Sequence, residues 1–384
     1  MSAFDEELSR LVRELNSLGG GASLPAVERD AAGRLQLDRL LARALESGAS
    51  DLLLVPGVAP TARIDGRLIA IDPSELEAKT VRALLQEILD ESQERRFETQ
   101  RAVDFCFERP GLGRFRCNAH HQRGAAAVAI RIFPPTIPTI EALNLPKDVA
   151  RFAALERGLV LIAGPAGCGK TTTLAALIHT INRTRNVHVV TAEDPIEYRH
   201  RHGTAIVEQM EIGRDVSSFA EALRSALRQD PDVLLIGEMR DRETMEMAVT
   251  AVETGHLVFS TLHTATVAQT LDRIVDVFPE EGQAQIRSQL SLSLAGVVIQ
   301  TLLPVKEGRG RVPAVEVMFA NDGIRNLIRR GQNHQIHAQM TMGRSSGMIT
   351  LDESLAGLVK SGKIDRSEAA RRAVHPDEFE SRLR

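Results

Sequence analysis

The chain has 384 residues, enough for two or three domains at about 100–200 residues each, so its cores need no disulfide or metal staple. Lys and Arg total 47 against 51 Asp and Glu, a formal charge of −4; no general field gathers nucleic acid or anionic lipid, and any polyanion contact has to be local. Aromatic residues are 3% of the chain, with one tyrosine (Tyr198) and no tryptophan, which argues against a base-stacking platform for single strands.

Residues 1–34 form an N-terminal extension in which an acidic amphipathic start (Phe4, Leu8, Leu11, Val12, Leu15) precedes the loop LGGGASLP. It reads as a short helix on a flexible tether, or as a frayed terminus. The early acids and the lack of an apolar run argue against a secretory signal peptide. From residue 35, Leu37, Leu40, Leu41 and Leu45 recur at helical spacing and Gly48 stops the helix. This opens a small α/β domain over 35–134, with β-like runs at 62–64, 103–107, 114–118 and 127–133 and one helix over 75–97. The segment FPPTIPTIEALNLP then places four prolines in 14 residues, and 135–146 is expected as a stiff linker.

From residue 147 to the end, strands and helices alternate as in an α/β domain with a largely parallel sheet. Strands are expected at 159–163, 187–191, 233–236 and 257–261, and helices at 170–182, 219–228 and 242–253. From about residue 321 the chain reads as helical: NDGIRNLIRRG, a segment ending in Gly347, then helices over 351–360 and 366–373. No run approaches 18 apolar residues, the most apolar stretches such as 158–163 and 297–303 being strand-sized, so a soluble chain is expected. Cys106, Cys117 and Cys168 form no CxxC pair, which fits a reducing cytoplasm and leaves too few thiols for an all-cysteine zinc site.

The run Gly164, Pro165, Ala166, Gly167, Cys168, Gly169, Lys170, Thr171, Thr172 matches G-x4-G-K-[ST] between an apolar strand and a helix. Its glycines let backbone N–H groups turn inward around phosphate oxygens, and the positive end of the helix adds to the attraction. Lys170 is expected to reach the β- and γ-phosphates of ATP and Thr171 to ligate Mg2+. Cys168 reads as a small space-filler rather than a reactive thiol.

Hydrolysis needs an acid near the metal and a group that activates water. The strand-like run ending in Gly237 and Glu238 brings Glu238 out at the carboxyl edge of a parallel sheet, where ligands bind, and makes it the expected general base. Glu193, Asp194 and Glu197 follow another strand, and His256 and His263 flank a third. The sheet edge would then gather acids for Mg2+ or water, Glu193 first among them, and a histidine able to donate to a γ-phosphate.

With these residues in place the chain resembles the secretion and type IV pilus motor ATPases, and within them the retraction (twitching motility) ATPases. GPAGCGKTT stands as Walker A, VTAEDPIEYRH as the Asp box, ALRQDPDVLLIGEMRD as Walker B and TAVETGHLVFSTLHT as the His box. Flanking blocks such as GASDLLLVPGVAPTARIDG and GIRNLIRRGQNHQI extend the likeness over roughly 35–375; Leu53 and Gly323 stand where the family usually has histidine and alanine. The resemblance implies a homohexameric ring of two-domain subunits, PAS-like then RecA-like, with ATP and Mg2+ held between the domains. It further implies that Arg116 and Arg131 help bind the phosphates. The implied partners are further copies of the chain, an inner-membrane pilus platform protein and a paralogous retraction ATPase, with no nucleic acid; the implied place is the cytoplasmic face of the inner membrane.

Three other readings stay open on the residues. A pilus-assembly or type II secretion ATPase usually carries a CxxC…CxxC insertion after the His box, which is lacking here. A RecA-like nucleic-acid translocase fits poorly with the acidic charge and few aromatics. A partner subunit that binds ATP without turnover fits poorly with Lys170, Glu238 and His263 all in place.

Overall fold

The computed structural model describes residues 36–134, 136–307 and 310–384; the expected N-terminal helix and tether lie outside them. The chain divides into two compact units between Pro135 and Thr136.

In the first unit the helix Leu37–Glu46 buries Leu37, Leu40, Leu41 and Ala44, the i, i+3, i+4, i+7 stripe of an amphipathic helix. Gly48, at φ +68°, takes the left-handed turn that follows it. Six strands follow: β1 (Asp51–Leu54), β2 (Thr61–Ile64), β3 (Arg67–Ala70), β4 (Ala102–Arg109), β5 (Gly113–Gln122) and β6 (Ala125–Ile132). They form an antiparallel sheet in the order β3-β2-β1-β6-β5-β4. Inward residues such as Leu52, Phe115, Cys117 and Ile130 share a core with the helices. The opposite face carries the cross-strand row Arg63, Asp51, Arg131, Arg116.

The single helix expected over 75–97 is two, Ala78–Gln86 and Glu91–Gln100. Asp90 starts the second with a capping box: its carboxylate accepts from Gln93 N at 2.8 Å, and its own N–H donates to Gln93 Oε1 at 3.0 Å. The apolar stripe breaks at the same point, since the first helix buries Val81, Leu84 and Leu85 and the second only Phe97.

The second unit is built on a seven-stranded sheet. Its strands are β7 (Gly158–Ala163), β8 (His188–Glu193), β9 (Ile206–Glu211), β10 (Val233–Ile236), β11 (Leu257–Leu262), β12 (Leu294–Pro304) and β13 (Arg311–Phe319). The order is β13-β12-β7-β11-β10-β8-β9. All pairings are parallel except β12 with β13. β7, β10 and β11 are buried along their whole length, as parallel strands covered on both faces must be.

The 136–146 segment is not a free spacer. Ile140 and Leu145 sit in the core with Val149 and Phe152, because two apolar side chains between prolines gain more by burial than by remaining in water. β9, β12, β13 and the helices Val267–Asp276 and Glu280–Ser293 add to the expected set. The last predicted helix stops at Ala370 and a further one, Pro376–Leu383, follows.

In NDGIRNLIRRG the helix Asp322–Arg329 buries Ile324, Leu327 and Ile328. Arg325 plays a structural part, since its guanidinium donates to Ser291 O at 2.7 Å and Leu292 O at 2.9 Å and so caps the helix Glu280–Ser293. Of the three arginines of that segment, Arg329 and Arg330 are exposed.

Candidate functional site

The turn from β7 into the helix Lys170–Thr184 is shaped by glycine. Gly164, Gly167 and Gly169 have φ of +143°, +74° and +94°, values that L side chains rarely adopt. A Cβ on Gly164 would lie 2.2 Å from Gln300 O, so loop and neighbouring strand meet backbone to backbone. Pro165, Ala166 and Gly167 form the exposed crest while Cys168 is buried. Burial pushes the Cys168 thiol pKa up against the pull of the Lys170 charge, so the group stays a neutral filler. Lys170 Nζ lies inside the loop, donating to Gly164 O at 2.8 Å and Pro165 O at 3.1 Å. Burial lowers its pKa, partly offset by Cys168, Glu238 and Glu197.

Strand order brings the remaining groups to this loop. β11 lies between β7 and β10, so the residue after β11 falls between the loop after β7 and the acid after β10. That residue is His263, with Nδ1 3.4 Å from Lys170 Nζ and Nε2 3.4 Å from Glu238 Oε1. An ammonium beside Nδ1 and a carboxylate beside Nε2 place an Nε2–H toward Glu238. Glu238 is half-buried and pairs through Oε2 with Arg240 at 2.7 Å. Burial pushes its pKa up, but the hydrogen bonds and charges of Arg240 and His263 outweigh that and hold it below the usual carboxylate value. Glu238 is therefore ionised at neutral pH.

Glu193 ends β8 and is buried, its Oε1 accepting from Thr191 Oγ1 at 2.8 Å and Gln209 Nε2 at 3.0 Å. Thr171, Glu193, Asp194, Glu197, Glu238 and His263 line one cleft of about 220 Å3 with Ala166, Gly167 and Lys170. Its hydroxyl and carboxylates are hard oxygen donors, the kind Mg2+ takes. Thr172 has its hydroxyl engaged at 3.1 Å by Tyr198 OH.

His256 does not join the site. It precedes β11 and so lies at the opposite edge of the sheet, its Nδ1 2.7 Å from Ala251 O at the end of a helix. Arg116 and Arg131 belong to the first unit. They are register partners on its outward row, Arg131 Nε 3.2 Å from Asp51 and Arg116 3.7 Å from Asp104.

Four residues outside the expected set also meet the site: Gln300, Tyr198, Arg240 and His200. Gln300 donates from Nε2 to Cys168 O at 2.7 Å and accepts from Thr173 Oγ1 at 2.7 Å, bracing the loop from β12. Its signal was a lone amide in a largely apolar strand, which burial permits only when it is bonded. Tyr198 and His200 stood inside the Asp box; burial, with His179 adding to it, pushes the His200 pKa down to about 4. We expect Gln300→Leu to strand two buried polar groups, at about 1–3 kcal/mol each, and to weaken nucleotide binding. An unchanged melting temperature and ATP affinity would dismiss the brace.

Residues 30–344 match the family model "Type II/IV secretion system protein". The chain is 47% identical over 345 residues to the type IV pilus retraction ATPase PilT of Pseudomonas aeruginosa, covering 90% of this chain and all of that protein. It is 45% identical over 318 residues to a twitching motility protein of Neisseria gonorrhoeae, covering 83% of this chain and 85% of the relative. Among solved structures, the pilus retraction motor PilT with bound ADP superposes with a TM-score of 0.84 at 43% identity, over 91% of this chain and all of that one. A P-loop cleft at the carboxyl edge of a RecA-like sheet, preceded by a PAS-like α/β unit and matched over nearly its whole length by these proteins, places this chain in the type II/IV secretion system protein family.

Proposed function

We propose that the chain is an ATP-hydrolysing motor that withdraws type IV pili, working as a homohexameric ring at the cytoplasmic face of the inner membrane. The observation that carries the chemical part is the line Lys170, His263, Glu238 beside the phosphate loop. The pilus part is supported by a retraction ATPase matched along its full length. Residues 147–384 are the motor domain in this reading and 35–134 its PAS-like companion. Among the described residues no helix is long and apolar enough to cross a membrane, so attachment would run through a membrane platform protein, and a paralogous retraction ATPase is a further partner.

In the mechanism, backbone N–H groups of Ala166, Gly167, Gly169 and Lys170 at the start of the helix bind the phosphates, and the Lys170 ammonium exchanges loop carbonyls for β/γ oxygens. Thr171 and Glu193 are the residues that would hold Mg2+, which neutralises charge on the phosphates. A carboxylate held at low pKa is a weak proton acceptor, so Glu238 acts chiefly by orienting the attacking water and takes the proton late. That suffices because the transition state is loose. His263 Nε2–H faces the same space and can donate to the γ-phosphate. Arg116 and Arg131 add positive charge to the phosphates.

The test of direction is deletion of the gene followed by counting surface pili and scoring movement. Retraction predicts hyperpiliated, immobile cells. Bald cells would indicate assembly, the reading that the missing CxxC pairs disfavour.

A further inference from the structure

Far along the chain from the ATP site, three helices of the second unit converge on His337, His375 and Glu378, whose ligating atoms all lie within 4.8 Å of one another. His337 sits on the helix Ile336–Met342, while His375 and Glu378 are the cap and third residue of the helix Pro376–Leu383. An i, i+3 spacing puts the last two on one face. His337 Nε2 is 2.7 Å from Glu378 Oε2, and the two imidazole centroids are 4.0 Å apart.

Behind them stands Asp352, 1% exposed, on the helix Leu351–Lys360. Its carboxylate accepts from Val374 N at 2.8 Å and His375 N at 3.0 Å, and Oδ2 is 3.2 Å from His375 Nδ1. A buried carboxylate that takes one imidazole nitrogen is the arrangement that orients a histidine toward a metal. Glu378 Oε1 is turned to Arg382 Nε at 3.2 Å, which leaves Oε2 on the histidine side.

We propose that His337, His375 and Glu378 form a divalent transition-metal site, with Zn2+ the best-matched ion, and with Asp352 as the positioning residue for His375. Two imidazoles and a carboxylate suit Zn2+ and not Mg2+, which takes oxygen ligands. Tetrahedral bonds of about 2.0–2.1 Å put donor atoms about 3.4 Å apart, within reach of this cluster by side-chain rotation. The ion would pin the C-terminal helix, which anchors through buried Phe379, to the helix that follows the GIRNLIRRG segment. The site takes no part in ATP chemistry and stands or falls independently of it.

The full-length protein, stripped with a chelator, is titrated with ZnCl2 by calorimetry and with Co2+ by visible absorption. One Zn2+ per chain, the d–d bands of four-coordinate Co2+, and a raised melting temperature reversed by chelator are expected. His337→Gln and His375→Ala should each weaken Zn2+ binding by more than the roughly 10–100-fold typical of an outer-shell loss, which is the effect expected for Asp352→Asn. Lys170→Ala should leave it unchanged. Less than one ion per chain, or binding indifferent to His337→Gln, would overturn the site and leave a plain histidine–carboxylate clasp. If His375→Ala or Asp352→Asn does not fold, the half-exposed His337 decides the question alone.

Discussion

Lys170→Ala is expected to abolish ATP turnover, and Glu238→Gln to stop hydrolysis while nucleotide stays bound. The ammonium of Lys170 lies among the loop carbonyls of Gly164 and Pro165, and a compact cation there compensates the β/γ charge in both ground and transition states. Its removal therefore weakens binding and chemistry together. Glu238 stands on the far side of His263 from Lys170, so the amide keeps the size of the side chain and removes only the charge that orients and deprotonates water. Such a loss is about 10²–10⁴ in rate. Phosphate release together with the binding of a fluorescent nucleotide separates the two effects. Near-normal phosphate release from Glu238→Gln, with Mg-ATP affinity intact, would remove Glu238 from the chemistry.

The second large effect is expected at the arginine pair of the first unit. Arg116 and Arg131 are directly opposite each other in the β5–β6 ladder, a placement that like charges oppose. Asp51 and Asp104 offset the repulsion from neighbouring strands. Side-chain exposures of 42% and 60% mean that neither holds the core together, so alanine at either position should leave the fold and melting temperature nearly unchanged. If the pair neutralises charge that develops on the phosphoryl group, each substitution should cost roughly 10³–10⁵ in turnover. Normal ATPase activity in both variants would show that the row is a solvated sheet face and nothing more.

Features that depend on neighbours within a turn or a strand are legible in the chain alone. The phosphate loop is such a case, because glycine at 164, 167 and 169 is demanded by local backbone angles and needs no distant residue to be recognised. Helical spacing likewise placed the helix Leu37–Glu46, and unbroken apolar runs placed the buried strands β7, β10 and β11. The break at Asp90 is also written locally, in a capping pair, which the single helix expected over 75–97 overlooked.

Strand order, register and helix convergence settle the rest. His263 and His256 flank the same strand, and only the direction of β11 within the parallel sheet sends one to the ATP cleft and the other to the opposite edge. Gln300 reaches the loop because β12 pairs with β7, a long-range pairing to which local propensity is blind. Arg116 and Arg131 become neighbours through register, and His337 meets His375 and Glu378 because Asp352 and Phe379 seat the last helix. In each case the residue types were visible in the chain, but the free energy that brings them together comes from burying apolar surface elsewhere. Its geometry exists only once the sheet and helices have packed.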